Sequence, residues 1–318
     1  MNTNRPVSKV LVLDDNPDHA AALKRFCDEH NLIALTARGH RLTSLLRSNI
    51  DLGGVLLGDD YGGSVTEAAA VATRIDALRP ELPVILRRSP DTAFDALPAA
   101  LRAAVCASFD TTDMAAFSAA VDEFIFSLDF PNALVRGISE ITEARLASLF
   151  RGLAVTWDTP SIVRDRIIFG EVFSLIPLES AWCRGYMLIQ TDEEPLLAMI
   201  SRDGGEAPAG FRDLNNVLGE LTNLIWGAFK NRFLDQQAPT GQSQIQVPLL
   251  VNHRRRYISF GSNNPQLCFR YRLTDEATGA AVTIDQRFVF SLSWSPEDFS
   301  EKTADVDELV EAGELDLF

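Results

Sequence analysis

The chain is poor in cysteine, in basic charge and in long apolar runs, and each shortage closes off a class of protein. Its four cysteines, Cys27, Cys106, Cys183 and Cys268, lie far apart and form no CxxC pair. That spacing excludes a disulfide framework or a zinc finger, and it leaves all four expected as buried small hydrophobes. No stretch approaches about 18 apolar residues without a charge, so no membrane-spanning helix is expected. The first residues, MNTNRPVSKVLVLDD, hold an apolar run too short for a secretory leader, and it ends in two acids. The expected location is therefore the cytoplasm. Lys and Arg number 29 against 44 Asp and Glu, a net charge of −15 with a pI of about 4.7. Such a balance argues against nucleic acid or an anionic membrane as the main partner.

What is present is enough for two ordinary domains: 318 residues, 46% hydrophobic and 23% charged. The charge is uneven. Residues 1–133 carry a net −6, residues 134–295 only −1, and residues 296–318 carry −8. The last segment is expected to be a disordered acidic tail. A linker is expected at 131–137, in PNALVRG, between a first domain at 1–130 and a second at 138–295.

Residues 10–128 alternate short apolar runs with helix-like segments. VLVL, LIALTA, GVLLG, PVIL and CASF are each followed by a helical pattern. Continuous apolar runs are the mark of parallel strands buried on both faces, and each such strand needs a helical crossover. The fold class expected is α/β, a doubly wound five-stranded parallel sheet whose functional groups lie beyond the carboxyl ends of the strands. Those ends are acidic. The first strand ends in Asp14 and Asp15, and Asp59 and Asp60 follow Gly58 at the end of the third. Carboxylates meeting at one sheet edge repel unless a cation intervenes, and hard oxygen ligands suit Mg²⁺. Asp14, Asp15 and Asp59 are therefore candidate magnesium ligands. The competing reading is that they are solvated loop or helix-capping aspartates.

This half resembles the CheY-like receiver domain of two-component signalling over about 120 residues. The acidic pair Asp14/Asp15 and Asp59, the candidate phosphoacceptor, match that pattern. Two positions depart from it. A receiver has Ser or Thr at the end of its fourth strand, where PVILRRSPD places Arg88, with Ser89 one residue late. It also has a lysine at the end of the fifth, where CASFDTTDM offers Asp110 and Thr111. The resemblance therefore implies a degenerate receiver, a regulatory or docking module.

In the second half a helix is expected in ISEITEARLASLFRGLAV and another in EPLLAMIS. Strands are expected in RIIFGEVFSLIPL, WCRGYMLIQT, SQIQVPLLV, YISF, QLCFRYRLT and AAVTIDQRFVFSLSW. Aromatic and β-branched residues favour an antiparallel sheet there, and the class is α+β. The most informative segment is the helix NNVLGELTNLIWGAFKNRF, from Asn215 to Phe233. At about 100° per residue, Leu214, Val217, Leu218, Leu221, Leu224, Ile225 and Ala228 form an apolar stripe. Asn216, Glu220, Asn223 and Gly227 fall opposite. Glu220 and Asn223, at i and i+3, are neighbours on that face. A solvated polar face is the plain explanation. Yet Gly219 and Gly227 each cost about 1 kcal/mol relative to Ala in a helix interior, and Asn is a poor helix former. Small residues beside polar ones point to a close-approaching backbone.

This segment resembles the signature of the CheC/CheX/FliY family, phosphatases of phosphorylated CheY. Their pattern is Asp or Ser, three residues, Glu, two residues, Asn, then a Pro some two dozen residues on. Here it reads Asn216, Glu220, Asn223 and Pro248, with Asn216 departing at the first, auxiliary position. An earlier helix has Glu140 with Glu143 where a second site would carry Asn, so the resemblance implies a single site, as in the CheX type. It further implies that Asn223 orients the attacking water and that Glu220 pairs with the active-site lysine of the substrate receiver. The substrate would be the aspartyl phosphate of a separate CheY-like response regulator, and Mg²⁺ would belong to that substrate. A homodimer is expected by the same resemblance. The alternative is a scaffold that binds response regulators or chemotaxis proteins without hydrolysis.

Overall fold

The computed structural model describes residues 6–36, 41–48, 51–168, 170–203, 209–234, 248–252, 258–259 and 263–302. In the first half, β1 (Ser8–Leu13), α1 (Pro17–Glu29), β2 (Leu32–Thr36), α2 (Leu42–Ser48) and β3 (Leu52–Gly58) lead to α3 (Val65–Leu78). β4 (Val84–Arg88), α4 (Ala99–Ala104), β5 (Ala107–Asp110) and α5 (Met114–Phe124) complete it. The five strands are parallel in the order β2-β1-β3-β4-β5, the doubly wound order typified by CheY. β3 is buried along its whole length, as a central strand covered on both faces must be. Alternate residues serve opposite faces. Leu11, Leu13, Val55, Leu57 and Leu86 pack beneath α2, α3 and α4, through Leu46, Ala72, Ile75 and Leu101. Val10, Val12, Leu56, Ile85 and Phe109 meet α1 and α5 through Leu23, Phe26, Phe117 and Val121.

The second half contains α6 (Asn132–Leu149), β6 (Ala154–Trp157), β7 (Ser161–Val163), β8 (Ile167–Ile168), β9 (Val172–Glu179) and β10 (Cys183–Thr191). α7 (Glu193–Ile200), α8 (Phe211–Phe233), β11 (Leu249–Asn252), β12 (Ile258–Ser259), β13 (Gln266–Thr274) and β14 (Ala281–Trp294) follow. Its main sheet runs β11-β9-β10-β14-β13-β6, with β7 also paired to β13, and all these pairs are antiparallel. The three helices share one core with the sheet: Leu218, Leu221, Ile225 and Phe229 of α8 belong with Ile176, Met187, Ile189 and Phe288. The two-class architecture expected from the sequence is thus present.

Five expectations need correction. The segment 131–137 is no linker: α6 starts at Asn132, Leu134 and Val135 are buried, and Gly137 lets α6 approach Phe233 where a side chain would collide. The helix expected through ISEITEARLASLFRGLAV stops at Leu149, and its last residues enter β6. RIIFGEVFSLIPL is not one strand, because Gly170 turns the chain at φ +85° between β8 and β9. The beginning of the acidic tail is docked. Phe299 meets Trp182 edge-on at 5.1 Å, Glu301 pairs with Arg232 at 2.7 Å, and Lys302 Nζ donates to Leu234 O at 2.6 Å. The rest, 303–318, lies outside the described residues. Cys106 is exposed, whereas the other three cysteines are buried.

The two halves join at the amino-terminal ends of β1 and β3. Val7 bridges to Ser161, Ser8 Oγ donates to Ile162 O at 3.1 Å, and Arg164 N donates to Leu52 O at 3.0 Å. A buried ion pair, Arg79 Nη2 to Asp165 Oδ2 at 3.2 Å, reinforces the joint, with Glu81 also bonded to Arg79.

Candidate functional sites

Asp14, Asp59 and Asp60 gather around Arg87 at the carboxyl end of the parallel sheet, without Asp15. β-strand alternation sends Arg87 and Arg88 to opposite sides of β4. Arg88 bonds Ser108 Oγ at 3.1 Å and Thr92 O at 2.7 Å, away from the cluster. Arg87 is 4% exposed. Its Nε donates to Asp14 Oδ2 at 2.5 Å and its Nη2 to Asp14 Oδ1 at 3.1 Å. Nη2 also bonds Asp60, and Nη1 lies 3.6 Å from Asp59 Oδ1. Burial alone would lower the Arg87 pKa, but the hydrogen bonds and charges of Asp14 and Asp60 outweigh it, and the pKa is raised.

Asp59 is 1% exposed. Its Oδ2 accepts from Ser89 N at 2.8 Å and its Oδ1 from Ser89 Oγ at 3.0 Å. The hydroxyl that stands one residue late in the sequence therefore still reaches the acceptor position. Asp15 is turned aside and accepts from Gly62 N at 2.9 Å. Asp110 folds back on Thr112, accepting from its N and Oγ1, both at 2.8 Å. Asp14, Asp15 and Asp59 do not fit a magnesium ion in this arrangement. Both oxygens of Asp14 are taken by Arg87, both of Asp59 by Ser89, and Asp15 stands apart. Sequence reasoning passed over Arg87. The signal was the pair of arginines closing an otherwise apolar strand, one of which alternation must turn toward the acids.

The second site is the outer face of α8. Gly210 N donates to Asp213 Oδ2 at 2.8 Å, closing the helix start. Thr222, buried on the inner face, donates to Leu218 O at 2.7 Å and bonds Ser174 of β9. That contact, with Leu218, Leu221, Ile225, Phe229 and Phe233 in the core, sets the rotation of the helix. Asn216, Glu220 and Asn223 are consequently all exposed on one face. Among the described residues, no hydrogen bond or ion pair engages any of the three. The apolar stripe differs from expectation at Leu224, which is 36% exposed beside Asn223. At Gly219 the nearest atom, Leu250 Cδ1 of β11, lies 3.5 Å from where a Cβ would stand, an ordinary contact, and nothing lies within 4 Å of the corresponding point on Gly227. The close-approaching backbone expected beside these glycines is therefore not found among the described residues.

The pair on the earlier helix is occupied. Glu140 Oε2 lies 2.8 Å from Arg232 Nη1, and Glu143 accepts from Trp157 Nε1 at 3.2 Å.

Residues 172–272, which include most of α8's surroundings and all of α8 itself, match the family model described as chemotaxis phosphatase CheX. No curated protein matches the chain. Among solved structures, chemotaxis protein CheX from Desulfovibrio desulfuricans is 13% identical, with a TM-score of 0.36 over 48% of this chain and 97% of its own. CheX from Vibrio vulnificus is 23% identical, with a TM-score of 0.33 over 48% of this chain and 97% of its own. A response regulator receiver domain protein from Clostridium thermocellum is 16% identical, with a TM-score of 0.31 over 38% of this chain and 100% of its own. The family model places the likeness to CheX in the second half of the chain, at residues 172–272. No helix of the described residues is long and apolar enough to cross a membrane.

Proposed function

We propose that the chain hydrolyses the aspartyl phosphate of a separate CheY-like response regulator, using the outer face of α8. The observation that carries this reading is the exposure of Glu220 and Asn223, one turn apart and unengaged among the described residues, within the segment matched by the CheX family model. An aspartyl phosphate is already a reactive acyl phosphate. Its hydrolysis needs little beyond a water held in line with the P–O bond, so positioning dominates. The Asn223 carboxamide can accept a proton from that water while staying neutral beside the phosphoryl group. Glu220, as an anion, is ill suited to face the phosphoryl group and pairs instead with the receiver's lysine. Asn216 flanks them one turn earlier. Mg²⁺ enters only with the substrate receiver.

The chain's own receiver-like half is not that substrate. Its Asp59 is buried and hydrogen-bonded, and it lies at the end of β3 opposite to the joint with the second half. Leu224, exposed beside Asn223, supplies an apolar contact for the incoming receiver. A homodimer belongs to the same proposal, as does a location in the cytoplasm with no direct role for nucleic acid.

Mixing the full chain with phosphorylated CheY-like partners and following phosphate release tests the activity. An Asn223→Ala variant is expected to be slowed about 100-fold. A variant as fast as the parent defeats the assignment. Binding of a phosphoryl-mimic receiver without turnover by the parent supports the non-catalytic scaffold instead, the reading that the Asn216 departure favours.

A further inference from the structure

We infer that the Arg87 guanidinium is the resident cation of the carboxylate pocket, so that the receiver-like half neither needs nor admits a divalent metal. The geometry is that of a built site. Arg87 makes a two-pronged contact with Asp14 and reaches Asp60 and Asp59 from the same group. Such fork-to-carboxylate pairing is among the strongest charge-assisted arrangements available to a side chain. Gly58 supplies an independent sign that the space is shaped for it: a Cβ there would stand 2.6 Å from Arg87 Nη2 and 3.1 Å from Asp60 Oδ1. Any side chain at position 58 would displace the guanidinium.

Magnesium requires oxygen ligands at about 2.0–2.1 Å in near-octahedral array, most of them free to turn toward the ion. Here the oxygens of Asp14 and Asp59 are already committed, and the positive charge of Arg87 lies among them. A dication entering the pocket would meet a buried like charge that cannot be discharged by losing a proton. The two cannot share the site. The pocket is thus neutralised by a covalently attached cation, whatever the metal content of the solution. Ser89 holds Asp59 from the other side, so the domain keeps one state where an intact receiver has a metal-bound and a phosphorylated one.

Thermal unfolding of the full chain in EDTA and in excess MgCl₂ tests this. The parent protein is expected to melt at the same temperature in both. An Arg87→Ala variant is expected to be destabilised in EDTA and to regain about 5 °C or more when Mg²⁺ is added, because the freed carboxylates then bind it. A parent melting temperature that rises with Mg²⁺, with the rise abolished by Asp14→Asn, overturns the inference. So does an Arg87→Ala protein that folds and is indifferent to the metal. If Arg87→Ala does not fold in either buffer, the parent and Asp14→Asn measurements decide between the two outcomes.

Discussion

The pocket at the head of the parallel sheet and the outer face of α8 both carry acids beside other polar groups, and they are finished in opposite ways. In the pocket, the functional oxygens of Asp14 and Asp59 are buried and each is already bonded, to Arg87 or to Ser89. On α8, Asn216, Glu220 and Asn223 stand exposed and, among the described residues, unengaged. The cost of burying a charge explains the first: carboxylates withdrawn from water must be matched from within the chain. The second carries no such demand, since water serves the exposed groups until a partner replaces it. A polar group satisfied inside its own fold has little left to offer a ligand. The difference therefore separates a site that has been closed from one that is still open, although both show the residue types of a working centre.

Variants can sharpen or break this contrast. The largest effect is expected at Arg87. Removing one partner of a buried ion pair typically costs about 3–5 kcal/mol, so Arg87→Ala in metal-free buffer should lower the unfolding free energy obtained from urea titration by that much. A near-neutral result would mean that the pocket is wetter than it looks. Next comes Glu220→Gln, which keeps the shape and removes the charge. A lost charge-assisted contact of about 2 kcal/mol corresponds to about 30-fold. The loss should fall on KM for the phosphorylated receiver and leave kcat nearly unchanged. A pure kcat effect would give Glu220 a chemical role. Gly227→Ala is smaller and has two readouts. The new methyl meets nothing within 4 Å, so the helix should gain up to about 1 kcal/mol in stability. If a partner's backbone lies against that face, KM should rise by about tenfold; a gain in stability with unchanged KM would remove Gly227 from the docking surface.

The smallest effect concerns the joint between the halves. Burial, the larger influence, raises the pKa of Asp165, although Arg79 works against it. A carboxyl whose pKa is raised on folding stabilises the fold below its ordinary range. That contribution is lost as pH rises through the raised value. Across that window the parent should lose stability with rising pH relative to Asp165→Asn, as read from urea midpoints. Parallel pH profiles would contradict it.

Much of this architecture was legible in the sequence. The five apolar runs before helical patterns located β1 to β5, most plainly β1, β3 and β4, which are buried on both faces, whereas the edge strands β2 and β5 are partly exposed. The polar face of α8 was equally clear, since Asn216, Glu220 and Asn223 recur at helical spacing. Other features were hidden for physical reasons. β6 and β7 are three or four residues long, too short for any period, and AVTW reads as well as a helix end. Leu224 sits at the border of the apolar stripe, and the rotation that exposes it is settled by the bond between Thr222 and Ser174 together with the core residues of the helix. The arginine pair that closes β4 hinted at Arg87, but its partners, Asp14 and Asp60, are 73 and 27 residues away and could not be read from it. A buried guanidinium is justified only by what tertiary structure brings to it.

The helix that replaces the expected linker has one more consequence. A cut between Val135 and Ile138 would strip Leu134 and Val135 from the second core. A cut just before it would separate Phe130 from Trp294, its neighbour at 5.2 Å. The two halves share a party wall, and neither can be lifted out by the usual scissors without leaving masonry in the other.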